Sequence, residues 1–272
     1  KKYDLLFYLT DGSIFLSSAK KNILHIQSPL KGQPAQSLWG KIKLKSWDLI
    51  IYNSKFTKIH SEKNWPIKSE VVYPPVDVDK INPLKKKKYI LSVGRFFGYL
   101  KDKKHELLIK TFERVKKNKE ALGWSLHLVG SASGGDKDYL NELKKIADNL
   151  EVNFYPNLGY DELIRLYGES SIYWHASGYG EDDPTKMEHF GISTVEAMAA
   201  GCVPVVIGKG GLLEIVDDGK NGFLWNNLHQ LEDKSLQLIS NQKLMLQMSS
   251  ASIKKAGNFS KKFFKSNIKR LI

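Results

Sequence analysis

The chain has 272 residues, 42% hydrophobic and 26% charged, with a formal net charge of +13, which is enough to bury a core and to hold one or two domains. The lone Cys202 excludes an internal disulfide and fits a reducing compartment, while its place at the start of an apolar run predicts a small buried hydrophobe rather than a reactive thiol. No apolar run approaches the ~20 residues of a membrane span, and the opening residues do not read as a signal peptide.

In chain order, Tyr3–Leu9 reads as a strand broken by Asp11-Gly12, and Asn22–Gln27 as a second strand ending at Ser28-Pro29. A basic stretch with Trp39 and Trp47 is expected to be helical. Leu49–Ser54 is a third strand, after which Ser54 can cap a helix running toward Trp65, and Val71–Pro75 reads as a last short strand. Lys85–Lys88, after Asn82-Pro83, reads as a linker. Strands alternating with helices imply a parallel sheet with right-handed crossovers.

The second part repeats the pattern on a larger scale. Tyr89–Arg95 is strand then turn, and the spacing predicts a helix over Lys103–Lys117 with Leu107, Leu108, Thr111, Phe112 and Val115 on one face. A strand at Leu126–Gly130 leads through a Gly/Ser loop to a helix over Asp136–Asn149. Then come a strand at Val152–Tyr155, a helix at Tyr160–Tyr167 and a strand at Ile172–His175, which opens onto a loop over Gly178–Lys186. A short helix is expected at Leu212–Val216, a strand at Phe223–Trp225, and helix from about Leu228 onward. This is a doubly wound α/β domain, whose ligand belongs beyond the carboxyl ends of its strands. Gly94-Arg95, His175, the Gly191 loop and Gly210-Gly211 all follow strands at that edge.

The segment Glu188–Val206 concentrates the chemistry. Ser193 and Glu196 have capping-box spacing, so a helix is expected to begin at or near Ser193 and to end at Gly201, before the buried strand Val203–Val206. Gly191 allows close approach to the backbone, and a helix N-terminus is a ready site for phosphate. On spacing alone, the favoured reading is that Glu196 only caps its own helix and Glu188 is a solvated charge.

The wording of the segment adds to this. Glu188-x-Phe190-Gly191, then Glu196, then Ala197-Met198-Ala199-Ala200-Gly201-x-x-Pro204-Val205-Val206 resembles the donor-binding signature of retaining, nucleotide-sugar-dependent glycosyltransferases of family 4, which have the GT-B fold. The resemblance continues through Gly210-Gly211-x-x-Glu214-Ile215-Val216 and Asp218-Gly219-x-x-Gly222-Phe223-Leu224. It implies two Rossmann-like domains: a partial N-terminal, acceptor-side domain over 1–84, a complete donor domain over 85–255, and a C-terminal helix over 256–272 that packs back on the first. Asn53–Thr57 and Val72–Asp77 look like the closing segment of the family's acceptor-binding domain. Domains commonly run ~100–150 residues, so roughly the first hundred residues, with part of the acceptor site, are expected to be missing from this chain. On that view the chain alone need not be active.

The resemblance also implies roles. Arg95 would bind the donor diphosphate together with Lys103, although the connecting loop is longer than the family's pattern and Lys101 or Lys104 suits as well. One guanidinium and one ammonium match a diphosphate. Glu196 would hold the ribose hydroxyls and Glu188 the donor sugar. Phe190, Gly191 and Ile192, with Ser193 and Thr194 at the helix start, would line sugar and phosphate. His189 stands where many relatives have Pro. His25, at a strand end, matches the acceptor-side His near the anomeric carbon, though a strand-end His also serves as a structural residue.

The implied reaction is retaining transfer of a hexosyl group from a nucleotide diphosphate sugar to a glycan or lipid-linked acceptor, with no metal and no resident cofactor. A metal site built from His175, Glu181, Asp182, Asp183, Glu188 and His189 is a rival reading, but no helical His spacing or Cys pair organises it. A sugar-nucleotide epimerase or hydrolase on the same fold would turn over donor without acceptor. The charge raises a different class, a nucleic-acid or membrane-surface module. Residues 1–88 hold 17 lysines against seven acids and residues 254–272 seven basic residues and no acid, whereas 89–253 hold 18 basic and 22 acidic. The part with the strongest motifs is therefore acidic, which argues against nucleic acid and leaves an anionic membrane surface, or lysine-rich solvated faces, for the two ends. The expected location is cytoplasmic, peripheral on the cytoplasmic membrane face.

Overall fold

The computed structural model describes residues 3–10, 12–30 and 36–272; Asp11, expected in the first break, lies outside them. Two parallel sheets form the framework. The smaller has the order β1-β2-β3-β4, from β1 (Leu5–Thr10), β2 (Lys21–Ile26), β3 (Leu49–Tyr52) and β4 (Ser69–Val71), with α1 (Leu38–Leu44) and α2 (Lys55–Ser61) as crossovers. The last strand was expected at Val71–Pro75; it ends at Val71, because Tyr73 and Val76 leave the sheet to pack on the other half.

The larger sheet runs β10-β9-β8-β5-β6-β7, all parallel. Its strands are β5 (Tyr89–Val93), β6 (Ser125–Gly130), β7 (Val152–Pro156), β8 (Ile172–His175), β9 (Val203–Ile207) and β10 (Phe223–Trp225). Crossover helices α3 (His105–Lys116), α4 (Lys137–Ile146), α5 (Tyr160–Glu169), α6 (Ile192–Ala199) and α7 (Leu212–Ile215) lie between them. Strand order reverses between β5 and β8, so the crevice for a ligand opens at the carboxyl ends of those two strands. On α3 the buried face is His105, Leu108, Ile109, Thr111, Phe112 and Val115; Leu107, expected on it, is only half-buried. Cys202 is buried, its thiol directed at the Tyr167 and Ser170 carbonyls at 3.2 Å, and burial pushes it up to about 11.

The terminal stretch divides into α8 (Leu228–Ser240), α9 (Gln242–Ala256) and α10 (Lys261–Leu271), the breaks set by the caps Asn241 and Ser260. Helix α10 crosses back to the smaller sheet, where Phe264, Ile268 and Leu271 pack against Ile23, Leu49, Ile51 and Val72. Lys261 pairs with Asp77 at 2.6 Å. Among the described residues no helix is long and apolar enough to cross a membrane.

Candidate donor site

The turn after β5, the loop before α6 with the start of that helix, and the ends of β2 and β3 surround one cavity of about 440 Å³. Gly94, Arg95, Lys103, Glu188, Phe190, Gly191, Ile192, Ser193 and Glu196 line it, so most of the residues singled out in the sequence converge. Gln27, Asn53 and Pro74 line it from the smaller-sheet side. A second cavity of about 460 Å³ shares Val93, Gly94 and Arg95 and extends past Val129, Gly130 and Ser131 to Asn157, Leu158 and Leu163.

Three lysines competed for one role, and the backbone separates them. The helix expected from Lys103 begins at His105, since Lys101 and Lys104 both take positive φ in the long loop. Lys101 then pairs with Glu106 and Glu142, and Lys104 with Glu181 at 2.7 Å. Lys103 alone of the three lines the cavity. Its stem crosses Gly94 so closely that a β-carbon there would meet Lys103 Cγ at 2.7 Å.

Lys103 Nζ lies 3.1 Å from Glu188 Oε2, and His175 Nε2 stands 3.1 Å from the same oxygen, off the line of a good hydrogen bond. Burial would push the Glu188 carboxyl up, but His175 and Lys103 beside it outweigh that and hold it well below the usual carboxylate range. Arg95 is exposed, its guanidinium 4.6 Å from the Phe97 ring centroid, and no carboxylate among the described residues pairs with it. Its charge lies at the lining of the cavity, against the Phe97 ring.

Helix α6 begins at Ile192, one residue before Ser193, with Gly191 at φ 111° as its cap residue. The expected capping box is not formed. Tyr173 donates its hydroxyl to Ser193 Oγ at 2.8 Å and Tyr167 to Glu196 Oε2 at 3.0 Å, so both side chains are engaged by phenols rather than by their own helix. No side chain caps α6 and its first turn holds no acid, which leaves its positive end open to an anion. Burial raises the Glu196 carboxyl, and the Tyr167 hydroxyl offsets part of that.

The loop bearing Glu188 is shaped from behind. Gly211 N donates to the Glu188 carbonyl at 2.8 Å, and a β-carbon on Gly210 would lie 2.2 Å from that same oxygen. Only glycine fits there. The Phe190 side chain packs inward against Tyr73 and Phe259, so the residue offers the cavity its backbone.

Two of the residues expected at the site are elsewhere. Thr194 is wholly buried beneath the helix start. His25 shares the face of β2 with Ile23, its ring 5.6 Å from Phe7, and burial lowers it to about 4; Gln27, two residues on, is the β2-edge residue that reaches the cavity. Gln27 and Asn53 were not read as site residues, although both immediately follow apolar strands, which is the available signal. Two acids of the metal reading are committed otherwise: Glu181 pairs with Lys104 and Lys186, and Asp183 accepts from the Thr185 amide. Among the described residues no group of three or more His, Cys, Asp or Glu is arranged to hold a metal ion.

Comparison with known proteins identifies the family and the fold. Residues 76–255 match the family model described as Glycosyl transferases group 1. The chain is 33% identical over 214 residues to the Mus musculus protein named GDP-Man:Man(3)GlcNAc(2)-PP-Dol alpha-1,2-mannosyltransferase, a match spanning 71% of this chain and 41% of that one. The Dictyostelium discoideum protein of the same name is 29% identical over 241 residues, spanning 80% and 45%. The chain thus covers less than half the length of these relatives. Among solved structures, Anabaena Alr3699/HepE in complex with UDP superposes with a TM-score of 0.73 at 19% identity, covering 92% of this chain and 71% of that one. Sucrose-phosphate synthase from Thermosynechococcus elongatus gives 0.72 at 16% identity, covering 92% and 67%. At such identities the likeness is one of fold. The chain belongs to the glycosyl transferases group 1 family and has the GT-B fold.

Proposed function

We propose that the protein is a retaining hexosyltransferase that moves a mannosyl group from GDP-mannose to a lipid-linked glycan. The observation that carries this reading is the convergence of Arg95, Lys103 and the uncapped start of α6 on one cavity with Glu188 and Glu196. Two cations and a helix N-terminus suit a diphosphate. Glu196 takes the ribose hydroxyls, Glu188 the hexose, and the nucleobase extends into the second cavity. The names of the mannosyltransferase relatives support the choice of donor and acceptor. The nucleotide sugar is a substrate in this reading, and neither a metal nor a resident cofactor takes part.

Glu188 is not proposed as a nucleophile, because Lys103 and His175 already hold its charge. The bond from the anomeric carbon to the diphosphate breaks as the acceptor oxygen bonds to the same face, and the acceptor proton passes to the departing phosphate oxygen. Arg95, Lys103 and the α6 amides stabilise the charge developing on that leaving group. Gln27 and Asn53, rather than His25, border the acceptor side of the cavity.

The lysine-rich smaller-sheet half and α10, brought together by packing, form the basic face proposed to hold the enzyme peripherally on the cytoplasmic side of an anionic membrane. The test is incubation with GDP-mannose, UDP-glucose or ADP-glucose and a lipid-linked glycan, with the product linkage read by NMR. An α-linked mannosyl product supports the reading. Donor turnover without acceptor would favour a hydrolase or epimerase instead.

A further inference from the structure

Helix α2 of the smaller sheet opens, like any helix, with amides that have no partner inside it. Ser54 serves one of them, its Oγ accepting from the Thr57 amide at 3.0 Å. The Lys55 and Phe56 amides find their acceptor on the other half of the molecule. Glu214, on α7, accepts from Lys55 N at 2.9 Å through Oε2 and from Phe56 N at 2.8 Å through Oε1. A carboxylate at the positive end of a helix makes charge-assisted bonds, stronger than a neutral cap would.

The same carboxylate reaches the donor loop. Tyr73 donates its hydroxyl to Glu214 Oε2 at 2.9 Å, while its ring stacks on Phe190 with centroids 5.7 Å apart. Phe56, whose amide Glu214 holds, stacks on His189 at 6.5 Å. Just before α7, Gly211 holds the Glu188 carbonyl. One short segment therefore supports the donor loop from behind and grips the smaller-sheet half in front.

We infer that Glu214 is a positioning residue, a helix cap supplied across the cleft that docks the smaller-sheet half onto the loop carrying Glu188. The docking stands on the hydrogen bonds themselves; its consequence for transfer rests on the function proposed above. Without this grip the donor still binds, but the acceptor hydroxyl no longer meets it in register.

Amide hydrogen exchange on the protein without ligand tests the docking. In Glu214→Ala, exchange at Lys55 and Phe56 is expected to quicken at least ~tenfold, while Thr57, capped by Ser54, changes little. In activity assays kcat for transfer is expected to fall about tenfold or more, with nucleoside diphosphate Kd held within about threefold. Wild-type exchange at both amides, or a Kd that weakens as much as transfer, overturns the inference. Should Glu214→Ala fail to fold, Glu214→Gln decides by the same reading, since it keeps the shape and one acceptor oxygen: faster exchange at either amide supports the cap, and unchanged exchange at both removes it. Failure of the donor reading shows separately, as wild-type protein that binds no nucleoside diphosphate, and leaves the exchange result in force.

Discussion

Lys103 and Glu188 meet in the candidate donor cavity, Nζ 3.1 Å from Oε2. The pair joins the loop after β5 to the loop before α6, and it gives each residue a partner before any donor arrives. In the proposed reading a diphosphate draws Lys103 away from Glu188, and a hexose then takes the carboxylate.

Glu188→Gln separates these two steps. It frees Lys103 for phosphate, so nucleoside diphosphate affinity is expected to hold or to rise by up to about fivefold, while transfer falls by about 100-fold. Titration calorimetry and turnover measured on the same preparation check both halves. Markedly weaker nucleotide binding would place Glu188 on the nucleotide instead of the sugar.

The pair also has a pH signature. The folded-state carboxyl of Glu188 lies below its unfolded value, so ionised Glu188 adds stability above the unfolded pKa of about 4.3, and that contribution is lost progressively as pH falls below it. Melts between about pH 6 and pH 3 should therefore fall more steeply for wild type than for Glu188→Gln. Parallel curves would mean that the ion pair contributes nothing to the fold.

Glu196 has the opposite sign. Its carboxyl is raised by burial, so the ionised form costs stability at neutral pH and the cost disappears as pH falls. Glu196→Gln is expected to raise the melting temperature of the ligand-free protein and to weaken nucleoside and nucleoside diphosphate alike, because ribose is common to both. A variant that melts lower and binds normally would make Glu196 a structural partner of Tyr167.

The basic face makes a prediction at membranes. Phe264, Ile268 and Leu271 pack α10 to the smaller sheet, which leaves its basic residues and the half-exposed Phe263 facing outward. At about 1 kcal/mol for each lysine near an anionic surface, several acting together give reversible, salt-sensitive binding. Liposome sedimentation should show retention on anionic vesicles and loss at about 0.5 M salt. Equal binding to neutral vesicles would contradict an electrostatic face.

Most of the larger sheet was legible because its strands are short apolar runs bounded by glycine and polar turns, and because Gly191, Glu196 and Gly201 fall in a recurring order. The capping box at Ser193 misled because local spacing cannot reveal Tyr167 and Tyr173, which arrive from α5 and β8 to claim both side chains. The choice among Lys101, Lys103 and Lys104 was open because it depends on two residues adopting positive φ in an irregular loop. His25 was a plausible strand-end residue, yet the pleat and register of β2 turn it toward Phe7 and leave Gln27 at the edge. Glu214 was visible in a motif but had no readable role, since the amides it caps lie more than 150 residues earlier in the chain.

The central claim is that Arg95 and its neighbours hold a diphosphate, and one titration tests it most directly. GDP and guanosine are titrated into wild type and Arg95→Ala. The account predicts that GDP binding weakens by about 1.5–3 kcal/mol in the variant while guanosine binding stays the same. Equal losses for the two ligands, or no heat from wild type with GDP, UDP or ADP, would contradict it.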